Sequence, residues 1–101
     1  MIAYNVTIKI DAHIESDWLK WQKEKHIPAL MATGLFTEYK CFRLLKQEDS
    51  DGITYVTQYF CHSIESYEKY ISEFAPDHQG ETFARWKNQF ITFDTVMEIV
   101  N

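Results

Sequence analysis

The chain has 101 residues, 46% of them hydrophobic and 16% aromatic, and a formal net charge of −5. At this length we expect a single domain, residues 1–101, with one core, and the negative charge argues against a nucleic-acid surface. No stretch approaches the roughly 20 apolar residues of a membrane helix, and no basic N-terminal region precedes an apolar run. We therefore expect a cytoplasmic protein that binds neither nucleic acid nor membrane.

Residues 2–11 predict a strand, and the residues that follow them predict a helix. The apolar residues of the strand recur with a period of two, which places one set on the core face: Ile2, Tyr4, Val6, Ile8 and Ile10. Ser16 is a predicted N-cap for the helix. Trp18 and Trp21 lie at helical spacing, so we expect both on its buried side.

Pro28 interrupts this helix. It has no N–H for the carbonyl four residues earlier, and its ring disfavours the helical conformation at Ile27. The good helix formers at 29–32 favour a restart with the proline in the first turn, and Gly34 predicts the end of the helix. His26 is therefore expected beside irregular backbone.

A β-hairpin is predicted from residues 36–46 and 53–61, which are rich in aromatic and β-branched residues and flank a polar run ending in Asp51-Gly52. We expect Cys41 opposite Cys61, with both thiols reduced and serving as small hydrophobes. If the numbers of paired residues sum to 102, as for Cys41 and Cys61, one face of the hairpin carries Tyr39, Cys41, Arg43, Tyr55, Thr57 and Tyr59. The other face then carries Phe42, Leu44, Val56, Gln58 and Phe60.

The second half repeats the helix and strand pattern. Ser63 is a predicted N-cap for an amphipathic helix that ends at Ala75-Pro76. A further helical piece is expected at 77–88, interrupted by Gly80, and alternation across 90–100 predicts the final strand.

The order strand, helix, strand, strand, helix, strand defines an α+β, ferredoxin-like βαββαβ fold, with a four-stranded antiparallel sheet and both helices on one face. We expect the opposite face, called the open face, to be half aromatic and half polar: Asn5, Thr7, Lys9, Tyr39, Arg43, Tyr55, Tyr59, Thr92 and Asp94. Two such faces packed together would form a homodimer enclosing a polar-lined cavity.

Several short motifs carry a resemblance to known proteins. They are the Tyr4-Val6 strand start, Trp18-Leu19-x-Trp21, His26-Ile27-Pro28, Thr33-Gly34-x-Phe36, Thr54-Tyr55 with Gln58-Tyr59, Ala75-Pro76 and Met97-Glu98-x-Val100. With the element order, they resemble the dimeric α/β-barrel superfamily, and more closely a small bacterial family with no assigned function. The resemblance implies a dimeric barrel. Superfamily members include cofactor-independent monooxygenases, muconolactone isomerase, haem-handling enzymes and stress-induced proteins, and no motif here selects among them.

His26 is the first candidate catalytic residue. Its imidazole could act as a general acid or base near neutral pH, or as a haem ligand. The alternative is that a ring nitrogen binds backbone groups freed by Pro28. We expect neither metal nor cofactor, because no HxH or HExxH spacing is present.

Arg43 is the second candidate catalytic residue, grouped with Lys9 and Asp94 on the predicted open face. Such a set could bind an anionic ligand or polarise a carbonyl, or it could form an ion-pair network across strands. The predicted ligand-binding residues are Asn5, Thr7, Lys9, Tyr39, Tyr55, Tyr59 and Asp94, although the tyrosines could equally be packing residues.

Two function classes follow. The first is a homodimer that binds a small metabolite in the barrel cavity as a cofactor-independent oxygenase- or isomerase-like enzyme. The second is a non-catalytic dimeric structural or protein-interaction module. A structure with no cavity for a few heavy atoms would favour the second class.

Overall fold

The computed structural model describes residues 1–48 and 52–101. Four strands form one antiparallel sheet in the order β2-β3-β1-β4: β1 (Ile2–Ile10), β2 (Glu38–Arg43), β3 (Ile53–Cys61) and β4 (Phe90–Glu98). The helices are α1 (Glu15–Trp21), α2 (Ile27–Ala32), α3 (Ile64–Glu73) and α4 (Ala75–Trp86). They pack on one face of the sheet, which confirms the predicted ferredoxin-like α+β fold.

The register of the sheet decides which side chains lie under the helices. Tyr4 pairs with Tyr59 on one side and with Val96 on the other. Directly paired residues share a face of a sheet, so the even-numbered residues of β1 and β4 lie with the odd-numbered residues of β3. The burial of alternate residues along β3 shows that this is the helix-covered face.

Part of the predicted open face was therefore assigned to the wrong side. Asn5, Thr7 and Lys9 do lie on the open face, but the other predicted members lie on the helix side: Tyr39, Arg43, Tyr55, Tyr59, Thr92 and Asp94. The error arose because both faces of β3 carry β-branched or aromatic residues, so alternation alone does not show which set is covered.

Strand β4 has the opposite polarity to the one expected of a half-buried strand. Its helix side carries Thr92 and Asp94, while its open side carries Ile91, Phe93 and Met97. These three apolar side chains are 74%, 62% and 40% exposed. The open face is thus largely apolar along its β4 edge, and the helix face is polar at Thr92 and Asp94, between Phe90 and Val96.

The predicted cysteine pairing was also wrong, because Cys41 lies opposite Thr57 rather than Cys61. The Thr57 hydroxyl donates to Cys41 Sγ at 3.4 Å. The observed register differs from the predicted one by an even number of residues, so each face of the hairpin still carries the residues predicted for it. Of the predicted turn, Asp51 lies outside the described residues, while Gly52 has a φ of +143°.

The first helical segment does not break at the proline, contrary to the expected restart, because Ile27 keeps helical dihedral angles, with φ −60° and ψ −47°. A π-helical turn, Gln22–His26, separates α1 from α2, with the N–H of Ile27 donating to the carbonyl of Gln22. Pro28 then lies in the first turn of α2, where no donor is required. Gly34 ends the segment with a φ of +77°. The π turn thus absorbs the backbone mismatch that proline introduces.

The start of that segment differs from the prediction. Ser16 lies inside α1, because a 3₁₀ turn, Ala12–Ile14, begins the helix earlier. The N–H of Ile14 donates to the carbonyl of Asp11 at 3.1 Å. Asp11 is extended and precedes the first turn, and its side chain makes no capping bond.

The second helical region is longer than predicted. The Ser63 hydroxyl accepts from the N–H of Ser66 at 3.3 Å and caps α3, as expected. Phe74 separates α3 from α4, and Pro76 lies in the first turn of the new helix. Gly80 does not interrupt α4, because its cost of about 1 kcal/mol is offset by burial of Trp86, which is 1% exposed.

Candidate functional site

A pocket of about 110 Å³ lies between the sheet and the helices, on the helix side of β1 and β4. The strand residues that line it are Tyr4, Val6, Ile8, Phe90, Thr92 and Asp94. The helical residues that line it are His26, Leu30, Tyr70, His78, Gln79 and Thr82. We call this cavity the helix-side pocket.

The helix-side pocket has a buried floor and a polar mouth. Tyr4 and Leu30 are 4% and 1% exposed and, with Ile8 and Tyr70, form the floor. Gln79, Thr92 and Asp94 are exposed and mark the opening to solvent. A ligand would therefore place its apolar part inward and its polar part toward Asp94.

His26 enters this pocket from the end of the π-helical turn. Its ring stacks on Trp21, with centroids 4.9 Å apart, and meets His78 edge-on at 6.2 Å. Among the described residues the His26 imidazole has no hydrogen-bond partner, so the alternative that it binds freed backbone groups is not supported. Burial, then the neighbouring charge of His78, lowers the pKa of His26 to about 4. The ring is neutral at physiological pH.

His78 and Tyr70 form the second polar element of the pocket. The Tyr70 hydroxyl lies 2.8 Å from His78 Nδ1, and the tautomer of the histidine decides which atom donates. Burial, followed by the charge of Asp94, raises the pKa of Tyr70 above its ordinary value. Tyr70 therefore keeps its proton and holds the His78 ring in position.

Tyr4 and Asp94 form the third polar element. The Tyr4 hydroxyl donates to Asp94 Oδ2 at 2.6 Å. Burial, this hydrogen bond and the carboxylate charge all raise the pKa of Tyr4. Tyr4 therefore keeps its proton and donates it in a hydrogen bond to the Asp94 carboxylate at the pocket mouth.

Arg43 lies outside the pocket and serves another cluster. Its Nε is 3.3 Å from Glu15 Oε2, and the Tyr55 hydroxyl donates to the same oxygen at 2.6 Å. The Tyr55 bond, and then Arg43, lowers the pKa of Glu15. Burial and the Glu15 bond raise the pKa of Tyr55 to about 12. This cluster connects the start of α1 to the sheet.

The predicted trio of Arg43, Lys9 and Asp94 is not brought together. Arg43 and Asp94 lie on opposite edge strands, about 14 Å apart if each strand spacing is about 4.8 Å. Lys9 projects from the other face of the sheet. The anion-binding set expected from the sequence therefore does not form.

The remaining predicted residues lie in other environments. Tyr59 is 1% exposed and packs against Tyr4 and Phe36 in the core, and Tyr39 is an exposed residue of β2. Of the nine predicted site residues only His26 and Asp94 line the helix-side pocket. The roles of the other seven, Asn5, Thr7, Lys9, Tyr39, Arg43, Tyr55 and Tyr59, stay predictions.

Sequence reasoning missed Tyr4, Tyr70 and His78 as pocket residues. Tyr4 was expected in the core, and Tyr70 lies on the covered side of α3. His78 lies at the start of the helical piece that the sequence predicts at 77–88, interrupted by Gly80. The usable signal was the Ala75-Pro76 pair, since a proline in the first turn of a helix predicts a continuous α4 carrying His78.

Neither metal-binding nor membrane-spanning elements are found in the described residues. Within 1–48 and 52–101, no three His, Cys, Asp or Glu side chains group closely enough to bind a metal ion. Over the same ranges, no helix combines the length and apolar character needed to cross a bilayer. The imidazole, phenol and carboxylate groups that line the pocket can form hydrogen bonds and transfer protons.

Comparison with solved structures places the chain in the ferredoxin-like class. A protein described as a dimeric ferredoxin-like protein from an uncultured marine organism shares 13% identity, with a TM-score of 0.73, and the match covers 99% of this chain and 95% of that one. A protein from Deinococcus radiodurans, described as an antibiotic biosynthesis monooxygenase, gives 9% identity, a TM-score of 0.70, and coverage of 100% and 94%. The hydroxynitrile lyase of Passiflora edulis shares 14% identity with a TM-score of 0.61, and the match covers 99% of this chain and 96% of that one. At these identities the similarity establishes the fold alone.

The sequence itself assigns the family. Residues 1–100 match the family described as Domain of unknown function (DUF4286), and the chain belongs to that family. No curated protein sequence matches it.

Proposed function

We propose that the protein binds a small, largely apolar metabolite in the helix-side pocket and transfers a proton on it, as a cofactor-independent isomerase-like enzyme. The observation that supports this most directly is His26, a neutral imidazole that lines the cavity without a hydrogen-bond partner among the described residues. The His26 nitrogens are not among the fully buried polar atoms that lack a partner, so a ligand in the pocket can hydrogen-bond to them in place of water.

The size of the cavity limits the ligand. An engineered apolar cavity of about 150 Å³ holds a benzene ring, and the helix-side pocket measures about 110 Å³ with an open mouth. We infer a ligand of about six to eight heavy atoms, with part of it extending past Asp94. The pocket has room for a few heavy atoms, but it lies on the helix side of the sheet and is not the barrel cavity expected between two open faces.

The two histidines take different roles in this proposal. His78, positioned by the Tyr70 hydroxyl at 2.8 Å, is the general base that removes a proton from carbon next to a carbonyl. His26 remains neutral because of its lowered pKa, so it donates a hydrogen bond to the carbonyl oxygen as negative charge develops there. With a ligand that carries a conjugating double bond, return of the proton from His78 to the far carbon of the resulting dienolate would complete a double-bond isomerisation.

Binding is tested with benzyl alcohol in a two-dimensional NMR titration. We expect the largest shifts at the amides of Thr92 and Asp94, and loss of these shifts in Thr82→Phe, where the new ring fills the pocket. The control is Ala84→Phe, which adds the same ring to an exposed position of the same helix. Equal binding by wild type and Thr82→Phe would show that the probe does not enter this cavity.

Catalysis is tested by the incorporation of solvent deuterium into small hydroxyketones such as hydroxyacetone. We expect faster exchange of the carbon-bound hydrogens with the wild type than with His78→Phe or His26→Phe. Exchange at the uncatalysed rate with all three proteins, while benzyl alcohol still binds, would reduce the proposal to a binding protein.

We also propose that a second copy of the chain covers the open face. Ile91, Phe93 and Met97 on one edge strand and Phe42 on the other are 74%, 62%, 40% and 46% exposed there, and exposed apolar side chains on a sheet face are typical of a protein interface. A structural neighbour described as dimeric has the same fold. The non-catalytic dimeric module remains the second candidate function, and this face is the observation that favours it.

The homodimer is tested by light scattering at micromolar concentration. We expect about twice 12.0 kDa for the wild type and a monomer for Phe93→Glu. Phe83→Glu is the control, because Phe83 has almost the same exposure, 61% against 62%, but lies on α4. A monomeric wild type would contradict the proposal, and so would equal dissociation by both substitutions.

A further inference from the structure

The charges around the helix-side pocket restrict what it can bind. The twelve residues lining it, all in the described part of the chain, include one carboxylate, Asp94, and neither lysine nor arginine. The two basic residues of the predicted site lie elsewhere, because Arg43 contacts Glu15 and Lys9 is on the open face. The pocket therefore offers a carboxylate or phosphate ligand no counter-charge from these residues.

The hydrogen bond between Tyr4 and Asp94 further restricts which groups a ligand can place at this end of the pocket. Because the Tyr4 proton is directed at Asp94 Oδ2, the tyrosine oxygen has only lone pairs left to offer, and Asp94 keeps free lone pairs of its own. Both groups at this end of the pocket are acceptors. A ligand needs a hydrogen-bond donor to satisfy them.

Based on these contacts, and resting on the proposed function, we infer that the pocket selects ligands that carry a hydroxyl or ammonium donor at the Asp94 end and rejects ligands with a carboxylate or phosphate there. The reason is that an anionic group would meet the Asp94 carboxylate across a short distance in a partly enclosed site, where like charges repel. A hydroxyl or ammonium group would instead donate hydrogen bonds to the lone pairs of Tyr4 and Asp94.

Three probes of similar size distinguish the charge states: benzylamine, benzyl alcohol and benzoate. In NMR titrations near neutral pH we expect benzylamine and benzyl alcohol to bind the wild type at least about ten-fold more tightly than benzoate. In Asp94→Asn we expect benzoate to come within about three-fold of benzyl alcohol, since the amide keeps an acceptor for Tyr4 but has no charge.

Two further variants separate charge from structure. Asp77→Asn removes one negative charge from an exposed position in the first turn of α4 that does not line the pocket, and we expect the wild-type selectivity. Tyr4→Phe keeps the carboxylate, so we expect benzoate to remain rejected while benzyl alcohol binds more weakly.

The outcomes separate the two proposals. If benzoate binds the wild type as well as benzyl alcohol does, the inferred selectivity is wrong while the pocket remains a binding site. If Asp77→Asn relaxes the selectivity as much as Asp94→Asn, the effect is one of net charge and the inference is also wrong. If none of the three probes shifts the NMR signals of the pocket amides, both the inferred selectivity and the proposed function are wrong.

Discussion

The burial of His26 predicts how the stability of the protein depends on pH. Burial lowers the pKa of His26 from its ordinary 6.5 to about 4 in the folded state. Between these two values the unfolded chain binds a proton that the folded chain does not, so the free energy of unfolding falls as the pH falls. The contribution of His26 is fully present above pH 6.5 and is lost as the pH approaches 4.

The size of this effect follows from the pKa difference. Each tenfold change in proton affinity is worth about 1.4 kcal/mol, so lowering the pH from 7.5 to 5 would cost up to about 2 kcal/mol. Water reaches part of the His26 ring, and screening reduces the figure to about 1 to 2 kcal/mol. His26→Phe removes the titration while keeping an aromatic ring against Trp21.

Urea denaturation followed by circular dichroism at pH 7.5 and pH 5 measures the difference. We expect the wild type to lose about 1 to 2 kcal/mol more than His26→Phe over this range. His62→Gln, a change at an exposed histidine, is expected to retain the wild-type loss. Equal losses by the wild type and His26→Phe would refute the burial of His26 in the pocket, as would an NMR titration of the His26 ring with an ordinary midpoint.

Three substitutions test other features by urea denaturation at neutral pH. Tyr4→Phe removes the 2.6 Å bond to Asp94 and should cost about 1 kcal/mol, whereas Tyr39→Phe, at an exposed ring, should be neutral; an equal cost for both would contradict the assigned bond. Lys87→Gly should stabilise the protein by about 0.5 to 1 kcal/mol, because Lys87 has a φ of +57°, and a loss of stability would show that this conformation is not strained. Gly52→Ala should destabilise by about 1 to 3 kcal/mol, because its Cβ would lie 2.8 Å from the carbonyl oxygen of Ile10 at a φ of +143°, and an unchanged midpoint would contradict the close approach.

The sequence predicted the parts of the structure that depend on neighbours a few residues away. The strand periods, the Ser63 cap and the end of the helix at Gly34 all agree with the structure. Each depends on a turn of helix or on alternation along one strand, so local backbone chemistry is sufficient. The order of these elements then led to the correct fold class.

The site was less predictable because its residues meet through long-range packing. His26, Tyr70 and His78 come from the π turn, α3 and α4, and no short spacing connects them. Asp94 was recognised as a candidate, but it was placed on the wrong face with the wrong partners.

The difference between what the sequence determined and what the tertiary structure decided has one physical cause. Alternation with a period of two identifies which residues of a strand share a face, as it did for β1 and β4. It does not say which face is covered, because that depends on the register between strands and on where the helices pack. On β4 Ile91, Phe93 and Met97 face away from the helices while Thr92 and Asp94 face them, so only the tertiary structure placed the pocket under the helices and left an apolar surface on the open face.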